Sequence, residues 1–244
     1  MSNSGRCLPL LIEDSGENDI PAIQKIFAYS VLHETGSFRE EPLSEELVAE
    51  KRQEVRALGL PHLVARPVLE ATDGCESEEN GMQVVGFAYA APFRFAFAGP
   101  FGAYRFTVED SIYVANDHRR KGVGRALLSE LLSRLERVQV AVPLSASVST
   151  SSGCESEIRD GLSAPEYSAQ DPSNVHLLCP DPQKIHNVIA VIGGGDENRG
   201  SIGLHTALGF ERVGTLHKVG YKHGRWLDVA LMQRTLTTTF ELVN

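Results

Sequence analysis

One stretch of this chain passes from a strand pattern into a basic, glycine-containing turn and then into a helix, an order that few folds accommodate. The alternating run Tyr104-Arg105-Phe106-Thr107-Val108-Glu109-Asp110-Ser111-Ile112-Tyr113-Val114 is followed by Arg119-Arg120-Lys121-Gly122-Val123-Gly124-Arg125. Apolar residues then recur at helical spacing: Val123, Leu127, Leu128, Leu131, Leu132 and Leu135. Gly122 and Gly124 carry no side chain to block close approach, so backbone N–H groups at the helix start can face anionic oxygens. Arg119, Arg120 and Lys121 put positive charge where the helix dipole already favours an anion. The segment predicts a seat for a diphosphate. A dinucleotide-binding turn would have a third glycine where this chain has Leu127, and seldom carries three cations. A solvated helix start capped by Asp117 is the plain structural alternative.

Length and charge narrow the classes. At 244 residues the chain can bury a full core, and one domain over 1–244 with insertions is the simplest division. A formal charge of −9 argues against nucleic-acid binding, which needs clustered cations. No basic start leads into an apolar run, and no apolar stretch is long enough to span a bilayer. The expectation is a cytoplasmic protein without membrane association. Cys7, Cys75, Cys154 and Cys179 are scattered and read as reduced thiols.

Along the chain, residues 8–13 read as a short strand, followed by a helix with Ile23, Ile26, Phe27, Ser30 and Val31 on one face. A second helix spans about 44–58, opening on Ser44. Strand-like runs at 61–69 and 82–93 flank an acidic loop at 70–81. After the helix to about 137, residues 143–184 are rich in Ser, Pro, Asp and Glu and predict a flexible insertion. An apolar strand at 185–192, a helix near 201–208 and two strands at 211–221 and 226–234 close the chain, the last two meeting at His223-Gly224. Strands mixed with two helices before and two after give a three-layer α/β/α class.

The order Arg-x-x-Gly-x-Gly resembles the acyl-coenzyme A pyrophosphate loop of the GNAT superfamily of N-acetyltransferases. Five further segments are similar to its phosphinothricin and methionine-sulfoximine acetyltransferase branch. They are Tyr104-x-x-Thr107-Val108-Glu109; Ala190-Val191-Ile192-Gly193; Asn198, Ser201, Leu204 and His205 with Ala207-Leu208-Gly209-Phe210; Gly220 to Val229 with Gln233-Arg234; and Phe38-Arg39-x-Glu41-Pro42. The resemblance implies a GNAT fold with a central mixed, mostly antiparallel sheet flanked by helices. It also implies acetyl-CoA as co-substrate, a small amino-acid-like amine as acceptor, no metal, and a homodimer.

Acetyl transfer to an amine needs a held donor, a proton acceptor for the ammonium, an oxyanion site and a departing thiolate. Glu109 is the candidate base, and alternation puts it with Thr107 and Ser111, opposite Val108, Asp110 and Ile112. A strand-end carboxylate paired with Arg105 is the plain alternative. His205 stands where many relatives have a Tyr that protonates the thiolate, and its role as acid, base or positioner stays open. The resemblance assigns the donor to the backbone of Ile112, Tyr113 and Val114, to Arg119, Arg120, Lys121, Gly122, Val123, Gly124 and Arg125, and to Asn198 and Ser201. Asn198 could equally cap the helix. Phe38, Arg39, Arg94 and Tyr104 are the acceptor-side candidates. Relatives that acetylate phosphinothricin tend to carry a basic residue three positions before the tyrosine matched by Tyr104, where this chain has Phe101, which favours a less anionic acceptor. No Cys or Ser sits in a nucleophile setting, so attack within a ternary complex is expected. A catalytically silent CoA-binding module and an acetylase of protein amines are the alternatives. Gly193-Gly194-Gly195 looks like a nucleotide loop, but Asp196 and Glu197 would repel phosphates.

Overall fold

The computed structural model describes residues 9–68, 83–94, 104–140 and 184–236. β1 (Leu10–Asp14), α1 (Ile20–His33), α2 (Glu45–Ala57), β2 (His62–Pro67), β3 (Gly86–Pro92) and β4 (Thr107–Val114) come first. They are followed by α3 (Val123–Leu135), β5 (Asn187–Gly193), α4 (Arg199–Ala207), β6 (Glu211–Lys222) and β7 (Arg225–Thr235). The strands form one sheet in the order β1-β2-β3-β4-β5-β7-β6. Neighbours pair antiparallel except β4 with β5, whose connection carries α3 across the sheet.

Helical periodicity places the layers. In α1, Ile20, Ile23, Ile26, Phe27, Ser30 and Val31 are buried, and they meet Val48, Val64 and Phe87 on one face of the sheet. In α3 the six apolar residues of the sequence pattern are all buried against the other face, among Leu63, Ala88, Val188 and Met232. Ser44 lies outside α2 and caps it by accepting from the Leu47 amide at 3.3 Å.

Several boundaries shift from the sequence reading. β4 begins at Thr107 and not at Tyr104, because the Thr107 amide turns back onto the Tyr104 carbonyl at 2.9 Å. The helix expected at 201–208 starts two residues earlier, at Arg199, where the short turn Gly195–Glu197 releases the chain. His223 and Gly224, both at positive φ, make the tight two-residue turn between β6 and β7. The 70–81 loop, Phe101 and the insertion up to residue 183 lie outside the described residues. Lys184, at the insertion's end, forms an isolated bridge with Gln139. No described helix is long and apolar enough to cross a membrane.

His62 is a histidine built into the α1–α2 side of the sheet. It is buried, its Nδ1 lies 2.9 Å from Ser15 Oγ, and its ring stacks on Tyr89 at 5.3 Å. Burial, helped by the charges of Arg52 and Arg56, pulls its pKa down to about 4. Folding therefore favours the neutral ring. That contribution is complete above the ordinary histidine value and is withdrawn as pH falls through 4. Between pH 6.5 and pH 4 the wild type should lose about 3 kcal/mol more stability than His62→Asn. Urea unfolding across that window measures the difference.

Candidate active site

The two parallel strands hold together over only three residues: Thr107 opposite Asn187, Val108 opposite Val188 and Glu109 opposite Ile189. Both then continue, β4 to Val114 and β5 to Gly193, while their outer edges stay paired to β3 and β7. A cleft of about 480 Å³ opens between them, walled by Ser111, Ile112, Tyr113 and Val114 on one side and by Ala190, Val191 and Ile192 on the other. The facing edges of this fork present backbone N–H and C=O groups that neither strand supplies to the other. Such groups need partners, and an extended amide-bearing guest can provide them.

The start of α3 closes one end of the cleft. Arg119, Arg120, Gly122, Val123, Gly124 and Arg125 all line it. Arg120 and Gly122 stand at φ 59° and 90°, two left-handed residues within three positions. The first helical bond runs from the Ala126 amide to the Gly122 carbonyl at 3.0 Å. The amides of Val123, Gly124 and Arg125 thus precede the ladder, and the N-cap, Gly122, has no side chain to cap them. A Cβ on Gly124 would come within 3.3 Å of Leu204 Cδ2, so a larger residue would crowd the helix start against α4. Asp117 does not cap α3: it sits in a short turn and meets His118 Nδ1 at 2.9 Å. These uncapped amides with flanking guanidinium groups are a fitting seat for a diphosphate.

Glu109 is the last residue of β4 paired to β5, at the fork itself. It is half-buried, and its pKa is raised by burial and by the neighbouring Asp110 charge, against the opposing charges of Arg94 and Lys51. Glu109 sits at the fork but is not itself on the cleft wall, which its neighbour Asp110 lines; a carboxyl tuned upward there suits a proton acceptor. One residue on, the strand's alternation turns Asp110 to the other face. There its Oδ2 lies 2.9 Å from His205 Nε2, with side chains 1% and 4% exposed. The other ring nitrogen of His205, Nδ1, lies 2.7 Å from the Ser201 carbonyl, one turn back in α4. Burial pulls the His205 pKa down, but the Asp110 hydrogen bond and charge, with the Ser201 carbonyl, more than offset it, so the net shift is upward.

The sequence matches the Acetyltransferase (GNAT) family over residues 32–149. It is 34% identical to the phosphinothricin N-acetyltransferase of Alcaligenes faecalis, across 90% of this chain and 79% of that protein. The chain belongs to the GNAT acetyltransferase family. It is also 31% identical to the L-methionine sulfoximine/L-methionine sulfone acetyltransferase of Pseudomonas aeruginosa, across 93% of this chain and 95% of that one. Among solved structures, a phosphinothricin acetyltransferase from Sinorhizobium meliloti in complex with acetyl-CoA superposes with a TM-score of 0.65 at 32% identity, covering 94% of this chain and 89% of that one.

Not every sequence candidate of this acetyltransferase meets at the cleft. Lys121 is not on its wall, unlike its neighbours Arg119 and Arg120. Asn198 lies on the wall but does not cap α4 with its side chain. Its Nδ2 donates instead to the Gly193 carbonyl at 3.4 Å. Ser201 lines the cleft beside His205. Phe38, Arg39, Arg94 and Tyr104 lie off this wall. Arg94 and Tyr104 flank Phe93, with the Arg94 guanidinium 5.7 Å from the ring and Tyr104 edge-on at 5.3 Å. Phe38 covers Gly220, where a Cβ would fall 2.4 Å from its ring.

The segment after α1 reaches the cleft through Glu34 and Gly36 and is held from three directions. Buried Lys222 donates to the Glu34 and Ser37 carbonyls at 2.8 and 2.6 Å. Glu34 also pairs with Arg119 of the α3 loop. Gly193 and Gly194 make room beneath: a Cβ on either would strike Thr35 at 2.3 Å, which accounts for the glycine run without any nucleotide. Sequence reasoning passed over Glu34, Lys222 and Asp110. Asp110 had a signal, since it adjoins Glu109 in a strand that turns apolar on its face. Glu34 and Lys222 had none, because each acts on a distant backbone or charge. Lys222→Met should leave two carbonyls without their donor and cost about 1–3 kcal/mol. Thermal unfolding and faster amide exchange over residues 34–39 would register it.

Proposed function

We propose that this chain transfers acetyl from acetyl-CoA to the α-amino group of a small amino-acid-like acceptor, of the phosphinothricin, methionine sulfoximine or methionine sulfone type. The observation that carries the reading is the fork: parallel strands part at Glu109, and the cleft beyond ends at uncapped, cation-flanked helix amides. The relatives act on such acceptors, and one of them holds acetyl-CoA in its structure. On this reading the amides and cations at Arg119, Arg120, Gly122, Val123, Gly124 and Arg125 take the diphosphate, with Lys121 adding charge nearby. The open edge at Ile112, Tyr113 and Val114, with Asn198 and Ser201 opposite, takes the amide-bearing arm. Glu109 collects the ammonium proton on the α1–α2 side of the sheet. His205 stands on the α4 side.

Acceptor contacts fall to the residues around Glu109: Arg39, Arg94 and Tyr104, with Phe38 packing the loop. Arg94 and Lys51 both bear electrostatically on Glu109, and Arg39 on Tyr89, so a carboxylate-bearing acceptor meets cations there. A cytoplasmic homodimer completes the reading. Exposed Val213, Leu216, Val219 and Tyr221 on the edge strand β6, with Trp226 at the start of β7, support a second copy at that face.

Thiol release from acetyl-CoA across a panel of free amino acids, methionine sulfone, methionine sulfoximine and phosphinothricin tests the reading. Acceptor-dependent turnover is expected, with Glu109→Gln lowering kcat by about 10²-fold or more. Because the Glu109 carboxyl is held above its ordinary value, kcat/KM should fall on acidification at a pH higher than a free glutamate would give. Gly122→Ala, strained at φ 90° by about 1–2 kcal/mol, should raise KM for acetyl-CoA and spare KM for the amine. Tight CoA binding without turnover on any acceptor would instead mark a silent binding module.

A further inference from the structure

Glu109 and Asp110 are adjacent on β4, so the strand's alternation sends them to opposite faces at the point where β4 and β5 part. Glu109 faces the α1–α2 side. Asp110 faces α4 and meets His205 there. The ring of His205 is bracketed by the Asp110 carboxylate at Nε2 and the Ser201 carbonyl at Nδ1, which at 2.7 Å is much nearer than the Ser201 hydroxyl at 3.4 Å. A neutral imidazole has one N–H and can serve only one of them. Serving both takes two N–H groups, which is the imidazolium. We propose that Asp110 is a positioning residue that fixes His205 in this doubly protonated form and orientation, so that His205 is a buried cation on the cleft wall that offsets the charge of the departing thiolate, and not a base.

A purely structural pairing would not need this carboxylate. A buried carboxylate is expensive to desolvate, and an amide oxygen would accept from Nε2–H as well. Asp110 Oδ1 has no hydrogen-bond partner among the described residues, although Asp110 is on the cleft wall. What the carboxylate adds over an amide is the charge that holds the second ring proton. Among the described residues no other charge acts on the ring. Its protonation responds to Asp110 on β4 and to the Ser201 carbonyl within α4. Phe210 packs edge-on at 4.9 Å, and β5 lines the adjoining cleft with Ala190, Val191 and Ile192. The remaining charged side chains of the wall, Glu34, Arg119, Arg120 and Arg125, belong to the diphosphate end.

The proposal rests on the acetyl-transfer reading, and it balances the protons of that reaction. The acceptor ammonium loses two protons on becoming an amide. Glu109 takes one and passes it to water. The C–S bond breaks with its electron pair going to sulfur, the His205 imidazolium offsets the thiolate charge there, and the second nitrogen proton passes to the sulfur. Net, one proton is released.

Two measurements test this, on the wild type and on Asp110→Asn. The first is the pH profile of kcat. In Asp110→Asn, kcat should fall about tenfold or more, KM for acetyl-CoA should stay within about twofold, and the alkaline limb should move to lower pH. The second is NMR of the His205 ring across pH, which needs no turnover. The wild-type ring should be doubly protonated at neutral pH, and the Asp110→Asn ring should carry a single proton. A wild-type ring with one proton at neutral pH, or an unmoved alkaline limb in the variant, overturns the proposal. So does a loss in Asp110→Asn matched by lost thermal stability with the ring's protonation unchanged. If no amine is acetylated yet the ring is doubly protonated only when Asp110 is present, the fault lies in the acetyl-transfer reading and the pair itself stands.

Discussion

Everything at this site depends on how briefly β4 and β5 pair. Three residues of parallel ladder fix the strands to each other, and from there each is anchored only on its outer side, β4 to β3 and β5 to β7. Had the ladder continued, the backbone groups of Ile112 to Val114 would be satisfied within the sheet and no cleft would exist. The antiparallel partners keep the parted strands from collapsing, because closing the fork would mean breaking their registers. The cavity is thus stabilised by hydrogen bonds that lie outside it.

The same geometry sorts the chemistry. A strand at a fork has two exposed sides, and side-chain alternation addresses both with consecutive residues. Glu109 and Asp110 use that property: two carboxylates next to each other in sequence raise the proton affinity of one while the other is compensated across the sheet by His205. Separation by the sheet lets two neighbouring acids have different environments and different proposed roles.

Much of this was legible in the sequence, for reasons that can be named. The apolar spacing of α3 and the glycines at its start are local patterns, so both the helix and its cation-rich turn could be read directly, as could the two faces of β4. The residues that hold the loop after α1 were not legible. Lys222 looked like a hairpin lysine, and its function is to donate to carbonyls at the far end of the chain. Gly193 and Gly194 imitated a nucleotide turn, yet their lack of a Cβ serves close packing against Thr35. Asn198 had the sequence position of a cap and used its amide elsewhere. In each case the deciding partner is remote in sequence, and propensity carries no information about it.

The Lys222 clamp has a consequence for the order in which the protein becomes complete. Its bond to Glu34 joins residues 188 positions apart, so one wall of the cleft, emerging early from the ribosome, waits for nearly the last strand pair before it is fixed. Until that strand pair docks, the segment after α1 lacks the two hydrogen bonds through which Lys222 holds it. The chain's final hairpin therefore acts as a latch on maturation: the cleft takes its finished shape only after the C-terminal strands have docked.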